Sequence, residues 1–163
     1  MRMLKHETIV YMAKAGVIAA LYGALTFVWP FSLGPIQCRI SEALCVLPYY
    51  MEAAVPGLFI GCLVGNLLSG AMAADVILGS LATLLGAILT RKLAKTHLPK
   101  FLAPFPAVLC NALIVGALLT YVYQYGLTYP IAILQVGGGE ALSCYVLGLP
   151  LMYALDKNPR LYA

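Results

Sequence analysis

Glu140 is the only charged residue between Phe101 and Leu155. A carboxylate set in so much apolar sequence is costly near hydrocarbon, so its presence points to a function. It follows Gly137-Gly138-Gly139, which suits backbone packed close to something, a ligand among the candidates. A second carboxylate, Glu42, follows Arg39 by one helical turn, where the two can pair with each other or face a ligand together. Asp75 opens a further apolar run and suits a helix first turn, where its charge meets the dipole. Asn66 and Asn111 lie inside apolar runs, as interhelical hydrogen-bonding groups do, and Gln37 and Gln135 complete the polar set. Such carboxylates and amides suit recognition of a small polar molecule. Metal chemistry is not expected, because neither His6 nor His97 has a second ligand at metal-binding spacing. The five cysteines (Cys38, Cys45, Cys62, Cys110, Cys144) form an odd set without C-x-x-C, and in apolar sequence a thiol acts as a small hydrophobe. Ser41 and Ser143 each stand near a glutamate, but no nucleophile and base have a recognisable spacing, so the chain is not read as an enzyme.

The elements that must position these groups follow from composition. Of 163 residues 63% are hydrophobic and 10% charged, with mean hydropathy +0.93, against about 45–50% and about 25% in soluble domains. That is an all-α integral membrane protein. At about 20 residues per span, six spans use roughly 120 residues, and the remainder suffices for loops and termini only. The expectation is a single membrane domain over 1–163 with spans near 8–30, 40–54, 56–70, 75–92, 105–124 and 137–155. The first run is too long for a signal-peptide core. Gly34-Pro35 marks a structured loop, Pro56-Gly57 a tight turn, and Tyr129-Pro130 with Gly137-Gly138-Gly139 a connection before the last span. No phosphate-binding G-x-x-x-x-G-K-[ST] occurs, so no cofactor is expected in this chain, and if transport here uses ATP another chain must hydrolyse it. The net charge of +4 does not imply nucleic acid, because the charges stand in clusters between apolar runs.

Those clusters orient the chain. With the N-terminus inside, Arg2, Lys5, Lys14, Arg91, Lys92, Lys95, Lys100, Lys157 and Arg160 fall at cytoplasmic ends and Arg39 alone falls outside. Both termini are then cytoplasmic. On this topology Gln37, Arg39, Glu42, Asn66, Asp75, Gln135 and Glu140 converge on the outer face and describe an outward-facing pocket, while Asn111 lies roughly 20 Å below the outer end of its span. In span one, Ala15, Ala19 and Gly23 share one face and Gly16, Ala20 and Ala24 the adjoining one, a spacing that admits close approach of another helix.

The segment Leu33-Gly34-Pro35-Ile36-Gln37-Cys38-Arg39-Ile40-Ser41-Glu42-Ala43-Leu44 resembles the QueT family, substrate-binding S components of energy-coupling factor (ECF) transporters assigned to queuosine precursors. Further likeness lies in Pro56 to Cys62, Asn66-Leu67-Leu68, Asp75 to Leu84, Cys110 to Gly116 and Gln135 to Glu140. The resemblance implies an ECF S-component-like bundle of six helices in the bacterial plasma membrane. It would capture a 7-deazaguanine, such as the 7-aminomethyl form or queuine, from outside. Its partners would be a membrane coupling subunit and two ATPases, with docking through A-x-x-x-A in the first helix, matched here by Ala15 and Ala19 or by Ala20 and Ala24. A deazaguanine presents N1–H and a 2-amino group as a paired donor edge that one carboxylate accepts. Glu140 is the first choice for it and Glu42 the second. Gln37, Asn66 or Arg39 would donate to the 6-oxo group, Glu42 or Asp75 would meet a 7-aminomethyl cation, and Trp29 would stack on the ring. Asn111 matches the family pattern. The competing reading is an autonomous proton-coupled carrier using Glu42 and Glu140.

Overall fold

Prolines, glycines and buried polar groups decide where these apolar segments run as helix and where they break. The structure, a computed structural model, describes residues 6–28 and 38–162. Among these, the regular elements are all helical: α1 (His6–Val28), a 3-10 segment (Ile40–Val46) leading into a short α2 (Leu47–Tyr50), α3 (Ala54–Leu68), α4 (Ala73–Leu93), α5 (Phe105–Ala117) with one π turn (Leu118–Val122), α6 (Tyr129–Val146) and α7 (Gly148–Lys157). Four helical stretches are long and apolar enough to cross a membrane: His6–Val28, Ala73–Leu93, Lys100–Val122 and Tyr129–Lys157. The apolar α3 is shorter, at 15 residues, about 22 Å at 1.5 Å per residue.

Two expectations are corrected. The segment expected as a span over 40–54 is no continuous α-helix but a 3-10 stretch followed by one short turn of α-helix. Pro48 explains the change locally. It has no N–H to give to the carbonyl four residues earlier, so Leu44 O is served instead by Leu47 N–H, in the i+3 pattern. The last span, expected from 137, begins at Tyr129 with Pro130 in the first turn, a favourable place for proline. Gly137-Gly138-Gly139 is therefore helical, not a connection. A Cβ on Gly137 would stand 3.3 Å from Ala112 Cβ, so one use of that glycine is close approach of α6 to α5.

Successive helices pack as neighbours in the order α1, α3, α4, α5, α6, and the 3-10 segment lies against α6, α7 and α1 and closes the ring. The tightest seam joins α1 to α3. Gly57, Gly61 and Gly65 form one stripe on α3, and a Cβ on Gly61 would stand 2.8 Å from Ala19 O. No other residue fits there. The free thiols of Cys45, Cys62 and Cys144 are buried, each packed in an apolar cluster, and those of Cys62 and Cys144 also meet polar side chains. The two ends of the bundle differ in kind. One gathers Arg39, Asn66 and Asp75, all buried. The other carries Glu52, Arg91, Lys100 and Asp156 in partly exposed ion pairs.

Candidate ligand-binding site

The 3-10 segment delivers the first polar groups. Arg39, Ser41 and Glu42 at its start are buried, and each is met by a side chain from another helix. Glu42 Oε1 accepts a hydrogen bond from the Tyr22 hydroxyl of α1. Ser41 Oγ lies 2.8 Å from Thr26 Oγ1, one turn further along α1. Arg39 Nη1 donates to Asn66 Oδ1 of α3 at 3.1 Å, and Asn66 Nδ2 turns to Cys62 Sγ at 3.5 Å. Thr83 Oγ1 of α4 donates to the same sulfur at 3.3 Å. Three helices and the 3-10 segment thus fix one guanidinium and one carboxylate.

The remaining carboxylates arrive from α4 and α6. Asp75, in the first turn of α4, accepts from Tyr123 OH at Oδ2, 3.1 Å away. Tyr123 follows the π turn that ends α5, a helix irregularity often found at functional sites. Glu140 on α6 comes close to Glu42, their carboxylate oxygens and Cys144 Sγ lying within 4.8 Å of one another. Cys144 Sγ is placed as a donor, 3.5 Å from Glu42 O and 3.8 Å from Glu140 Oε2. The charge of Arg39 acts on Glu42, Asp75 and Glu140 together.

The structure moves Asn111 relative to its expected depth. Because α6 starts at Tyr129 and α5 runs on to Val122, Asn111 and Glu140 both lie about 16 Å inside the same end of the bundle at 1.5 Å per residue. The Asn111 amide is near enough to act on the Glu140 carboxyl. Glu140 accordingly sits well within α6, not at the beginning of its helix. Gln135, a little over one turn earlier, is half-buried. Trp29 and Gln37 lie outside the described residues. In α1, Ala15 and Ala19 face Gly57 and Gly61 of α3, whereas Gly16, Ala20 and Ala24 are exposed.

Tyr22 and Tyr123 escaped the sequence reading. For Tyr22 a signal existed: Ile18, Tyr22 and Thr26 recur every fourth residue and are all buried, so the tyrosine shares the inward face of α1. Tyr123 had none, standing among several tyrosines at the end of the expected fifth span.

Buried polar groups are nearly always hydrogen-bonded. Here Glu42 Oε2, Asp75 Oδ1 and Gln135 Oε1 are enclosed without a protein partner, and the Asn111 amide has the Glu140 carboxyl beside it but no hydrogen bond of good geometry. Three acceptors on three elements are thereby left without a partner within the described residues. The arrangement suits binding of a small ligand rich in N–H groups.

A profile described as QueT transporter matches residues 12–157. The queuosine precursor transporter QueT of Lactococcus lactis subsp. cremoris (strain MG1363) is 39% identical over 71 residues, 42% of this chain and 41% of that protein. The alignment thus spans about two fifths of the relative's length. No solved structure matches.

Proposed function

This chain belongs to the QueT transporter family, and on that premise we propose that it is the substrate-binding membrane subunit of an ECF-type importer for a 7-deazaguanine queuosine precursor. The observation that carries the reading is the set of enclosed, unpartnered acceptors on Glu42, Asp75 and Gln135, with the Asn111 amide beside Glu140. Glu140 accepts the N1–H and 2-amino edge as two parallel charge-assisted hydrogen bonds. Glu42, held by Tyr22, keeps its second oxygen for the same end of the ligand. The Asn111 amide and the Arg39–Asn66 pair are the donors for the 6-oxo side. The chain performs no chemistry on the ligand: it desolvates and holds it.

The lysines and arginines gathered at the opposite end of the bundle favour a cytoplasmic side there, and on this reading the polar cluster lies toward the outer face of the plasma membrane. The short segments 40–50 and 54–68 then count with the four long stretches as six crossings, with both termini inside. A coupling subunit would dock on the Gly16-Ala20-Ala24 face of α1, since the Ala15-Ala19 face is taken by α3, and two ATPases bound to that subunit would hydrolyse ATP-Mg. The test is a binding titration on the purified full chain. A 7-deazaguanine should bind without turnover, and Glu140→Gln should weaken it at least thirtyfold, about 2 kcal/mol for a lost charge-assisted pair. Absence of binding by every 7-deazaguanine tried would overturn the assignment. The closeness of Glu42 to Glu140 also suits a proton-coupled carrier, and uptake by this chain alone in liposomes under a pH gradient would establish that reading instead.

A further inference from the structure

We propose that the basic end of the bundle carries a separate binding site, for the headgroup of a zwitterionic phospholipid with a primary ammonium, phosphatidylethanolamine in kind. The inference needs only a helical bundle in a membrane and is independent of what the buried polar cluster binds. A cavity of about 440 Å³ lies between the start of α1, the turn from α2 to α3, the last turn of α4 and Tyr162, and no residue of the polar cluster lines it. Its charges are of both signs: Lys14 and Arg91 on one side of the count, Glu7 and Glu52 on the other. An anion alone would meet two carboxylates there and a cation alone two bases, whereas a phosphate joined to an ammonium offers each its opposite.

Arg91 is the group suited to the phosphate. Its Nη2 donates to Glu52 at 2.9 Å and its Nη1 to Tyr49 O at 3.5 Å, while Nε is enclosed without a hydrogen-bond partner. A guanidinium matches phosphate oxygens in geometry, and this side chain, 27% exposed, has room to turn its spare donor toward the cavity. Lys14 adds a cation from α1, about 12 Å along the helix from His6. Its Nζ reaches Tyr162 O at 3.3 Å, as the head of a lysine inside a span snorkels to the interface. The rings of Tyr11 and Tyr50 line the same cavity and suit both an ammonium and interfacial depth. A further observation separates a lipid from soluble phosphoethanolamine. Val10 and Lys14, both lining the cavity, share one face of α1 with Val17 and Leu21, at intervals of four, three and four residues. Val17 and Leu21 are exposed, and α1 buries the smallest share of the four long stretches. An apolar track therefore leads from the cavity along the span, where an acyl chain lies once its headgroup is seated; a soluble headgroup makes no use of it.

The experiment is a native mass spectrometry titration of the purified, delipidated full chain with dioleoyl phosphatidylethanolamine, phosphatidylcholine and phosphatidylglycerol, and with free phosphoethanolamine. The ethanolamine lipid should bind about fivefold or more tighter than either other lipid, because the choline form has no N–H to give and the glycerol form brings no ammonium to the two carboxylates. Phosphoethanolamine at the same concentration should not displace it. Lys14→Gln should lower the affinity for the ethanolamine lipid about fivefold and leave 7-deazaguanine binding within roughly twofold, since Lys14 stands at the other end of the bundle. Equal or tighter binding of the choline or glycerol lipid by the unaltered chain overturns the proposal without need of a variant. Full retention of the ethanolamine lipid by Lys14→Gln also overturns it, by placing the lipid elsewhere, as does displacement by phosphoethanolamine, which makes the occupant soluble. Should no lipid bind, this inference falls and the 7-deazaguanine reading stands; should no 7-deazaguanine bind, the reverse holds.

Discussion

The two ends of the bundle use the same residue types in opposite ways. At the basic end Arg91 meets Glu52 at 2.9 Å and Lys100 meets Asp156 at 2.8 Å, with side chains 27% to 61% exposed. Each acid there has its base, and water screens both. At the other end three buried acids share one guanidinium, and several of their oxygens or neighbouring amides lack a partner. Exposed pairs of the first kind contribute little to stability, whereas unsatisfied buried groups are expensive. Buried acids that outnumber their one base cost more than exposed pairs in water, and binding a ligand is a use that such a cost can serve.

That contrast can be broken by substitution. The largest effect is expected at Glu140, where Glu140→Gln should abolish most ligand affinity in a titration while preserving the melting temperature of the ligand-free protein, because a neutral amide of nearly the same shape replaces the buried carboxyl. A variant that binds normally would remove the distinction between the ends. Next, Tyr22→Phe deletes the hydroxyl that orients Glu42 and should cost about 1–2 kcal/mol of binding, roughly five- to thirtyfold. Gly61→Val tests the frame rather than the site. With a Cβ 2.8 Å from Ala19 O, the α1–α3 seam must part, and thermal unfolding in detergent should show a loss of about 1–3 kcal/mol. The smallest effect is expected at Glu52→Gln, with binding and melting unchanged. Hydrogen bonding to Arg91 holds the Glu52 carboxyl below its usual range. What little the pair contributes is therefore present at neutral pH and is lost as pH falls below about 4. A melting temperature that dropped sharply nearer pH 6 would show that this pair is not the group that titrates.

How much of this was legible in the sequence varies by residue. Glu140 announces itself, because one carboxylate in a long uncharged stretch has few structural excuses. Asp75 and Asn66 could be placed at one end of the bundle because charge patterning fixes which way each helix points. The depth of Asn111 could not be read, since it depends on where α6 begins, and three consecutive glycines look like a loop until a neighbouring helix packs against them. The 3-10 segment was invisible for a related reason: hydropathy averages over a window and does not distinguish an i+3 from an i+4 hydrogen bond, although Pro48 carried the local cause. Tyr22 was readable in principle from its fourfold spacing with Ile18 and Thr26. The two alanine registers of α1 look alike as sequence, and only the position of α3 tells them apart.

The central claim is that the buried carboxylates and amides enclose a flat heterocycle with an amidine-like donor edge. Mass spectrometry of the small molecules released on heating from the full chain, purified from cells supplied with queuosine precursors, tests it most directly. A 7-deazaguanine should be released from the unaltered protein and be absent from Glu140→Gln. Release of the same compound in equal amount from both, or of a compound without such a donor edge, would contradict the account.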